Sequence, residues 1–142
     1  MKPKKLSAPQ VRRVLRKIHF AGLLGIRLAR LHPDGLTLEC SVRQNLLNSA
    51  GMLHGGVSAT LADAAVGVAL HYLLGSHNPV TTIEMKINYF RPVSDGKIFA
   101  RARMMRMGAT ICVGRVDILN ARGRLVGAAI ATYMILPRPT AL

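Results

Sequence analysis

One long apolar stretch, residues 53–74, constrains the fold of this chain more than any other feature. Apolar residues recur there at helical spacing, and the opposite side of the predicted helix is apolar too, which is typical of a buried helix. Asp63 is the only charged residue between Arg43 and Glu84. An ionised carboxylate in such surroundings costs several kcal/mol unless it is paired or neutralised. Asp63 is therefore the first candidate for a functional residue.

Glycines open the predicted helix. His54, Gly55 and Gly56 stand where a Ser, Thr or Asp cap is usual, which predicts backbone N–H groups without a side-chain cap. Together with the helix dipole, such donors suit an anion or the negative charge that develops on a carbonyl oxygen. A carboxylate and an oxyanion donor are the two halves of an acyl-transfer site. The structural alternative is that the glycines only permit close packing at the helix start.

These two halves are too far apart to work within one chain. Asp63 lies eight positions after Gly55, which corresponds to roughly 12 Å along a helix axis. Both groups therefore act on one carbonyl group only if they come from different subunits. The sequence predicts a homodimer with two antiparallel helices at its interface and two equivalent sites.

Spaced motifs extend this pattern over most of the chain. They are Asn48-x-x-Gly51-x-Leu53-His54-Gly55-Gly56-x-x-x-x-Leu61-x-Asp63 and Thr82-x-Glu84-x-x-x-x-Tyr89-x-Arg91-Pro92. Across about residues 20–136 the chain resembles the hotdog-fold acyl-CoA thioesterases of the PaaI-like (phenylacetic acid degradation) branch. The resemblance implies an α+β hotdog fold, in which an antiparallel β-sheet wraps around one long helix. It also implies an acyl-CoA substrate, no cofactor, and a homodimer that pairs further into a tetramer.

The resemblance assigns roles to the residues of the core helix. Asp63 is expected to be either a general base that activates water or a nucleophile that forms a mixed anhydride, and the Gly55 N–H of the other subunit polarises the thioester oxygen. His54 is expected to support the loop at the helix start, and Gly56 to contact substrate. The alternative for Asp63 is a core carboxylate held by a neighbouring Thr or backbone group, or a charge paired at the dimer contact.

Three further side chains have open alternatives. A polar residue at the position of Asn48 faces the thioester in the resembling enzymes, although Asn is also a common turn residue. Thr82 stands where related enzymes carry a Ser or Thr near the attacking water, and Thr81 replaces it if the register differs by one. An exposed strand threonine is the structural alternative for Thr82.

The expected contact to the CoA phosphates departs from the family pattern. Many relatives have Gly followed by Arg or Lys in the turn between the fourth and fifth strands, whereas this chain has Gly108, Ala109 and Thr110. The candidate contacts are Gly108, Thr110 and Arg91, with Arg103 and Arg106 as alternative sources of the missing charge.

The rest of the chain predicts a single domain over residues 1–142, with residues 1–19 as a basic helical extension. An amphipathic helix is predicted over residues 9–20, and strands over residues 26–31, 36–42, 80–90, 98–107, 111–119 and 125–136. The core helix is predicted to end at residues 75–79. Because the last four strands are joined by short links, they are expected to be antiparallel neighbours. Alternation in residues 80–90 places Thr82 with Glu84 on one face and Ile83 with Met85 on the other.

Charge and composition limit the possible partners. Twenty Lys and Arg against six Asp and Glu give a net charge of +14, which favours phosphate-bearing molecules. Nucleic acid is the weaker choice, because only 4% of the residues are aromatic and the extension is short for a DNA-binding motif. Asp63 and His71 interrupt the apolar stretch and count against a membrane span. With no apolar run of signal length, and with Cys40 and Cys112 expected to be free thiols, we expect a cytoplasmic protein.

Other catalytic signatures are absent from the sequence. It contains no serine in a G-x-S-x-G elbow, no phosphate-binding glycine loop, and no metal-type spacing at His71 and His77. The sequence therefore favours an acyl-CoA thioesterase that releases a carboxylate and free CoA. Two alternatives stay open: a non-catalytic acyl-CoA-binding or regulatory hotdog protein, and a hydratase or dehydratase on the same fold.

Overall fold

The computed structural model describes residues 2–75 and 78–139. The helices are α1 (Ala8–Arg16), α2 (His19–Leu24) and α3 (Gly55–Leu74), and a short 3₁₀ turn covers Gln44–Leu46. The strands are β1 (Arg27–His32), β2 (Gly35–Ser41), β3 (Val80–Tyr89), β4 (Lys97–Met107), β5 (Ile111–Asn120) and β6 (Leu125–Ile135). The predicted strand and core-helix bounds agree with these to within one or two residues. Ser76 and His77, in the predicted helix end, lie outside the described residues.

The six strands form one antiparallel sheet in the order β1-β2-β4-β5-β6-β3. The expectation that β3 and β4 are neighbours is wrong, because β3 pairs with β6 at the edge of the sheet. The connection between them is not a tight turn. Its Val93 carbonyl accepts a hydrogen bond from the Leu53 N–H, and its Gly96 carbonyl accepts one from the Val42 N–H, so it runs along the end of the sheet.

Helix α3 is the core of the molecule, and the sheet wraps around it. Leu61, Val66 and Leu70 of the helix are fully buried, as are Leu36 and Ile98 of the sheet. Among the described helices, α3 alone is long and apolar enough to cross a membrane, but 61% of that stretch is buried inside the protein. This burial is what the core helix of a folded domain shows. The α+β hotdog architecture expected from the sequence is therefore confirmed.

The N-terminal extension consists of two helices, where the sequence predicted one over residues 9–20. Helix α1 starts at a capping box, in which Gln10 Oε1 accepts hydrogen bonds from the N–H and Oγ of Ser7. The chain then turns at Lys17 and Ile18 before α2 begins. The change of direction lets apolar residues of both helices reach the core, which a single straight helix would not allow. The buried side chains are Val11, Val14 and Leu15 of α1 and Ala21 and Leu24 of α2.

A bulge in β3 changes which residues of that strand face the helix. The pairing with β6 shifts by one residue between Thr82 and Glu84, so Thr82 is opposite Tyr133 while Met85 is opposite Ala131. Tyr133 and Ala131 both belong to the buried face of β6. The simple alternation expected from the sequence is therefore wrong at Thr82, which faces the helix, whereas Ile83 is left 52% exposed.

Candidate active site

The carboxylate of Asp63 is held by two hydroxyl groups from the sheet. Thr82 Oγ1 and Tyr133 OH each donate a hydrogen bond of 2.8 Å to Asp63 Oδ1. Asp63 Oδ2 accepts no hydrogen bond from the described residues, and no basic side chain among them forms an ion pair with Asp63. The half-buried carboxylate is therefore oriented through one oxygen while the other stays available.

Tyr133 is the residue of this cluster that the sequence analysis missed. Its hydroxyl also lies 2.7 Å from the Asp63 backbone oxygen, and the side chain is only 5% exposed. Burial raises its pKa well above the usual range; the Thr82 hydroxyl acts against this, and the negative charge of Asp63 adds to it. Tyr133 therefore stays a neutral hydrogen-bond donor to the carboxylate at ordinary pH.

A glycine inside the core helix is the signal that would have pointed to Tyr133. A Cβ on Gly67 would lie 3.1 Å from the Tyr133 ring and hydroxyl. Glycine in a helix interior is unfavourable by roughly 0.5–1 kcal/mol relative to alanine, so it marks a close approach by another group. A tyrosine in an otherwise apolar strand also needs a partner for its hydroxyl when it is buried.

The start of α3 is capped, contrary to the expectation of uncapped N–H groups. His54 is the N-cap, and its Nδ1 accepts a hydrogen bond of 2.9 Å from the Gly56 N–H. This contact requires an unprotonated Nδ1, so His54 is engaged in supporting the helix start. The neighbouring N–H of Gly55 has no acceptor in the described part of the chain. One donor at the helix N-terminus is thus left open.

Tyr89 covers the same end of the helix. Its hydroxyl donates a hydrogen bond of 2.7 Å to the Gly55 carbonyl, and a Cβ on Gly55 would lie 3.1 Å from its ring. Partial burial raises the Tyr89 pKa. The Tyr89 hydroxyl therefore binds the carbonyl oxygen of Gly55 and leaves the Gly55 N–H unoccupied.

The side chain of Asn48 organises the loop before the helix. Its Oδ1 accepts hydrogen bonds from the N–H groups of Ala50 at 2.9 Å and Met52 at 3.1 Å. These bonds are the turn chemistry that the sequence analysis left open as the alternative to a substrate contact. Both acceptor sites of the amide oxygen are occupied, while its NH₂ group donates to none of the described residues.

The two ends of the helix open into different cavities. We call the first the Gly55 cavity; it measures about 350 Å³ and contains Gly55, Asn48 and Arg91 among its lining residues. The second, the Thr82 cavity, measures about 270 Å³. Its lining residues are Ile18, Ala64, Gly67, His71, Val80, Thr81, Thr82 and Tyr133. Within one chain, Gly55 and the two hydroxyl donors to the carboxylate therefore line different spaces, in keeping with the roughly 12 Å of helix between Gly55 and Asp63.

The candidate CoA contacts also lie at opposite ends of the sheet. Arg91 follows β3 in the Gly55 cavity, whereas Gly108, Ala109 and Thr110 form the turn between β4 and β5. That turn is bound to the other end of β6, because the Ile135 N–H donates to the Thr110 carbonyl at 2.8 Å. Arg106 Nε lies 3.6 Å from the position of a Cβ on Gly108, so a guanidinium stands beside the turn.

Metal ligands are not clustered anywhere in residues 2–75 and 78–139, since no group of three His, Cys, Asp or Glu side chains meets there. His77 lies outside this range. Cys40 and Cys112, expected to be free thiols, are buried and not linked by a disulfide.

Comparison with known proteins gives a consistent result. Residues 50–134 match the family model described as "Thioesterase superfamily". The chain is 31% identical over 103 residues to acyl-coenzyme A thioesterase 13 of Mus musculus, covering 71% of this chain and 73% of the relative. It is 26% identical over 118 residues to the 1,4-dihydroxy-2-naphthoyl-CoA hydrolase of Escherichia coli, covering 83% of this chain and 87% of the relative. A crystal structure of a thioesterase from Haemophilus influenzae superimposes with a TM-score of 0.88 at 26% identity, over 99% of this chain and 98% of that one.

Proposed function

Since the chain belongs to the thioesterase superfamily and is a thioester hydrolase, we propose that its substrate is an acyl- or aryl-acyl-CoA, which it hydrolyses to a carboxylate and free CoA. In this proposal Asp63 is the general base or the nucleophile. The backbone N–H of Gly55 from a second copy of the chain polarises the thioester carbonyl. The PaaI-like branch is the part of the superfamily whose motifs this chain carries.

The observation that carries the proposal is the arrangement of Asp63. Its Oδ1 is fixed by two hydroxyl donors, and its Oδ2 is left without a partner among the described residues. Because Asp63 is half-buried, this second oxygen is able to contact water or substrate. Thr82 and Tyr133 act as positioning residues in this view, because they hold the reactive oxygen in one direction.

Two routes are chemically consistent with this arrangement. As a base, Asp63 Oδ2 takes a proton from water while the water oxygen attacks the thioester carbon; the C–S bond then breaks, and the departing thiolate takes the proton back. As a nucleophile, Oδ2 attacks the carbon itself, the thiolate leaves, and water hydrolyses the resulting anhydride. In both routes a negative charge develops on the carbonyl oxygen, which the Gly55 N–H stabilises. After a single turnover in ¹⁸O-water, label in the Asp63 carboxylate would demonstrate the anhydride route, since label enters that group only when water attacks the Asp63 carbonyl of the anhydride.

The edge position of β3 supports assembly with a second copy. The strand is ten residues long, its outer edge is unpaired in the described chain, and Ile83 and Tyr89 on it are 52% and 53% exposed. A long unpaired edge invites pairing with another chain. We propose a homodimer in which antiparallel pairing brings the Gly55 cavity of each copy to the Thr82 cavity of the other, with a dimer of dimers as the larger assembly.

Binding of the CoA part is proposed at this junction. Arg91 of one copy and the Gly108–Thr110 turn with Arg106 of the other would then flank the same opening. A net charge of +14 gives the whole surface an attraction for the CoA phosphates. The proposed cellular location is the cytoplasm, where CoA esters are formed and used.

Subunit complementation tests the shared site directly. Asp63→Asn and Gly55→Pro each remove one half of the chemistry. In a heterodimer of the two variants, one site lacks both halves and the other has both. Co-expression is therefore expected to restore about a quarter of the wild-type rate, because half of randomly formed dimers are mixed and each has one intact site. If a sample shown to contain mixed dimers regains no activity, the shared site is wrong. Asp63 and Gly55 would then act within one chain or take no part in the reaction.

The substrate class is tested by thiol release from a panel of aryl-acetyl, aryl and aliphatic acyl-CoAs. Wild-type protein is expected to release free CoA from at least one class, and Asp63→Asn to lose most of that activity. Asp95→Asn is the matched control, since Asp95 is an exposed acid between β3 and β4. Absence of hydrolysis with the whole panel, combined with tight binding of an acyl-CoA, would instead support a binding protein.

A further inference from the structure

The N-terminal extension reaches the Thr82 cavity through a single side chain. Ile18, at the junction of α1 and α2, is one of its lining residues, and all the others that line it belong to α3, β3 and β6. Ile18 and His71 also line a second space of about 180 Å³, together with Val14 and Lys17. We call this the Lys17 cavity. Ile18 and His71 therefore stand between two neighbouring cavities.

We infer that Ile18 is a specificity-determining residue that closes the acyl-binding end of the site and limits the length of the acyl group. The inference rests on the proposed function, because it identifies the Thr82 cavity as the space for the acyl part of the substrate. It assigns to the N-terminal extension a role in substrate choice that the motifs of α3 and β3 do not contain.

The chemistry of the Thr82 cavity fits an acyl group and not the CoA part. Its apolar walls come from Ile18, Ala64 and Val80, and its polar lining is neutral hydroxyl groups and one histidine, with no Lys or Arg. Arg91, by contrast, lies in the Gly55 cavity. A phosphate-bearing group would leave its charges unpaired against these apolar walls, whereas burial of methylene groups there is favourable.

The cavity also lies beside the two hydroxyl groups that hold the carboxylate. Thr82 and Tyr133, the two donors to Asp63, line it, and so does His71, which lies eight residues after Asp63 on α3. That spacing corresponds to roughly 12 Å along the helix axis. Gly67 lies between them, and its lack of a side chain lets the Tyr133 ring lie close against the helix. A chain attached to a carbonyl at Asp63 would therefore run along α3 toward Ile18.

Ile18 is held firmly enough to act as a wall. Its N–H donates to the Leu15 carbonyl at 3.1 Å, and its carbonyl accepts from the Gly22 N–H at 3.2 Å. The extension itself is attached to α3, because the Leu6 N–H donates to the Tyr72 carbonyl at 3.0 Å. A change in the size of residue 18 is therefore expected to alter the cavity and not simply to be absorbed by movement of the backbone.

The test is the dependence of kcat/KM on chain length for saturated acyl-CoAs from four to sixteen carbons. Ile18→Ala joins the Thr82 and Lys17 cavities, and the optimum should move to longer chains. Each additional buried methylene is worth about fourfold, so a chain two carbons beyond the wild-type optimum should gain about fifteenfold. Ile18→Phe should move the optimum to shorter chains. Ile18→Val, which removes one methyl group, should give a smaller shift in the same direction as Ile18→Ala and replaces that variant if it fails to fold.

The matched control is Leu23→Ala, an apolar truncation in the same extension at a side chain that is 72% exposed. Its chain-length profile is expected to superimpose on that of the wild type. Ile18 profiles that also superimpose on the wild type, with hydrolysis intact, would overturn the inference and leave the proposed function standing. Lack of hydrolysis of every acyl-CoA by the wild type would overturn the proposed function itself.

Discussion

The two ends of the core-helix segment from Gly55 to Gly67 are built alike but expose different chemistry. At each end a glycine is approached by a tyrosine ring, Gly55 by Tyr89 and Gly67 by Tyr133, with a Cβ position 3.1 Å from the ring in both cases. At the first end the tyrosine hydroxyl bonds the backbone carbonyl of Gly55. At the second it bonds the side chain of Asp63.

The difference determines how each end responds to mutation. The Gly55 end offers a backbone N–H, which survives almost any side-chain substitution that the helix start accepts. The Asp63 end offers a carboxylate oxygen that depends on side chains from two strands. Side-chain changes should therefore affect activity strongly at the Asp63 end, and only changes to the backbone donor should do so at the Gly55 end.

Asp63→Asn is expected to give the largest effect, a fall in kcat of about 10²–10⁴-fold. Asparagine keeps the shape of the side chain and still accepts hydrogen bonds at its oxygen, so the fold should persist. The measurement is the rate of thiol release, with thermal unfolding and oligomeric state as checks. A variant that is folded and as active as the wild type would remove Asp63 from the chemistry.

Gly55→Pro is the corresponding change at the other end, and a fall of about 10²–10³-fold is expected. Proline is favoured at the first position of a helix, where it removes the N–H at little cost to the helix. His54 already has the extended conformation that a residue before proline needs, with φ −62° and ψ 132°.

Gly55→Ala is the control for this experiment, because it adds the same Cβ beside Tyr89 but keeps the N–H. Its kcat is expected to stay far closer to that of the wild type than to that of Gly55→Pro. Equal losses in the two variants would show that space beside Tyr89, and not the backbone donor, is what matters at this end.

The sequence revealed these two ends unequally. Asp63 was visible because a lone charge in an apolar helix is costly, and Gly55 because glycines open the predicted helix, although His54 supplies the cap. The strands, the hairpins and the core helix followed from periodicity and turn residues. Tyr133 was missed because it lies 70 residues from Asp63, and local patterns carry no information about such a contact.

Two other sequence predictions, both about β3, were wrong for a similar reason. The position of β3 beside β6 depends on the path of the connection after Tyr89, which short-range turn signals do not specify. The bulge near Ile83 reversed the face assigned to Thr82, since an alternating pattern assumes an unbroken register. Both features bring a hydroxyl group to Asp63, so the supporting residues of the site depend most on long-range structure.

Tyr133→Phe and Tyr89→Phe compare the two tyrosines directly. Loss of the Tyr133 hydroxyl should reduce kcat by about tenfold, because a hydrogen bond to a charged acceptor is worth roughly 1.5–3 kcal/mol and Thr82 still holds Oδ1. Tyr89→Phe should leave kcat within about twofold, since the Gly55 N–H is retained. Thiol-release kinetics on both variants provide the measurement. A larger fall in kcat in Tyr89→Phe than in Tyr133→Phe would contradict this prediction. Activity would then depend more on the tyrosine hydroxyl at the Gly55 end.

The smallest expected effect is a pH dependence of stability. Burial, together with the charge of Asp63, raises the pKa of Tyr133, so in the folded chain it keeps its proton at a pH where an unfolded tyrosine, with a pKa near about 10, has lost it. Folding then requires proton uptake, and the stabilisation present below about pH 10 is lost as the pH rises. The free energy of unfolding of the wild type, relative to that of Tyr133→Phe, should therefore fall by up to about 1.4 kcal/mol per pH unit above pH 10.

Tyr89 has a raised pKa by burial alone and is 53% exposed, so the same difference measured with Tyr89→Phe should have the same sign and a smaller slope. Denaturant unfolding between about pH 9 and 11 measures both slopes. Equal slopes would mean that burial and the charge of Asp63 raise the pKa of Tyr133 no more than burial raises the pKa of Tyr89.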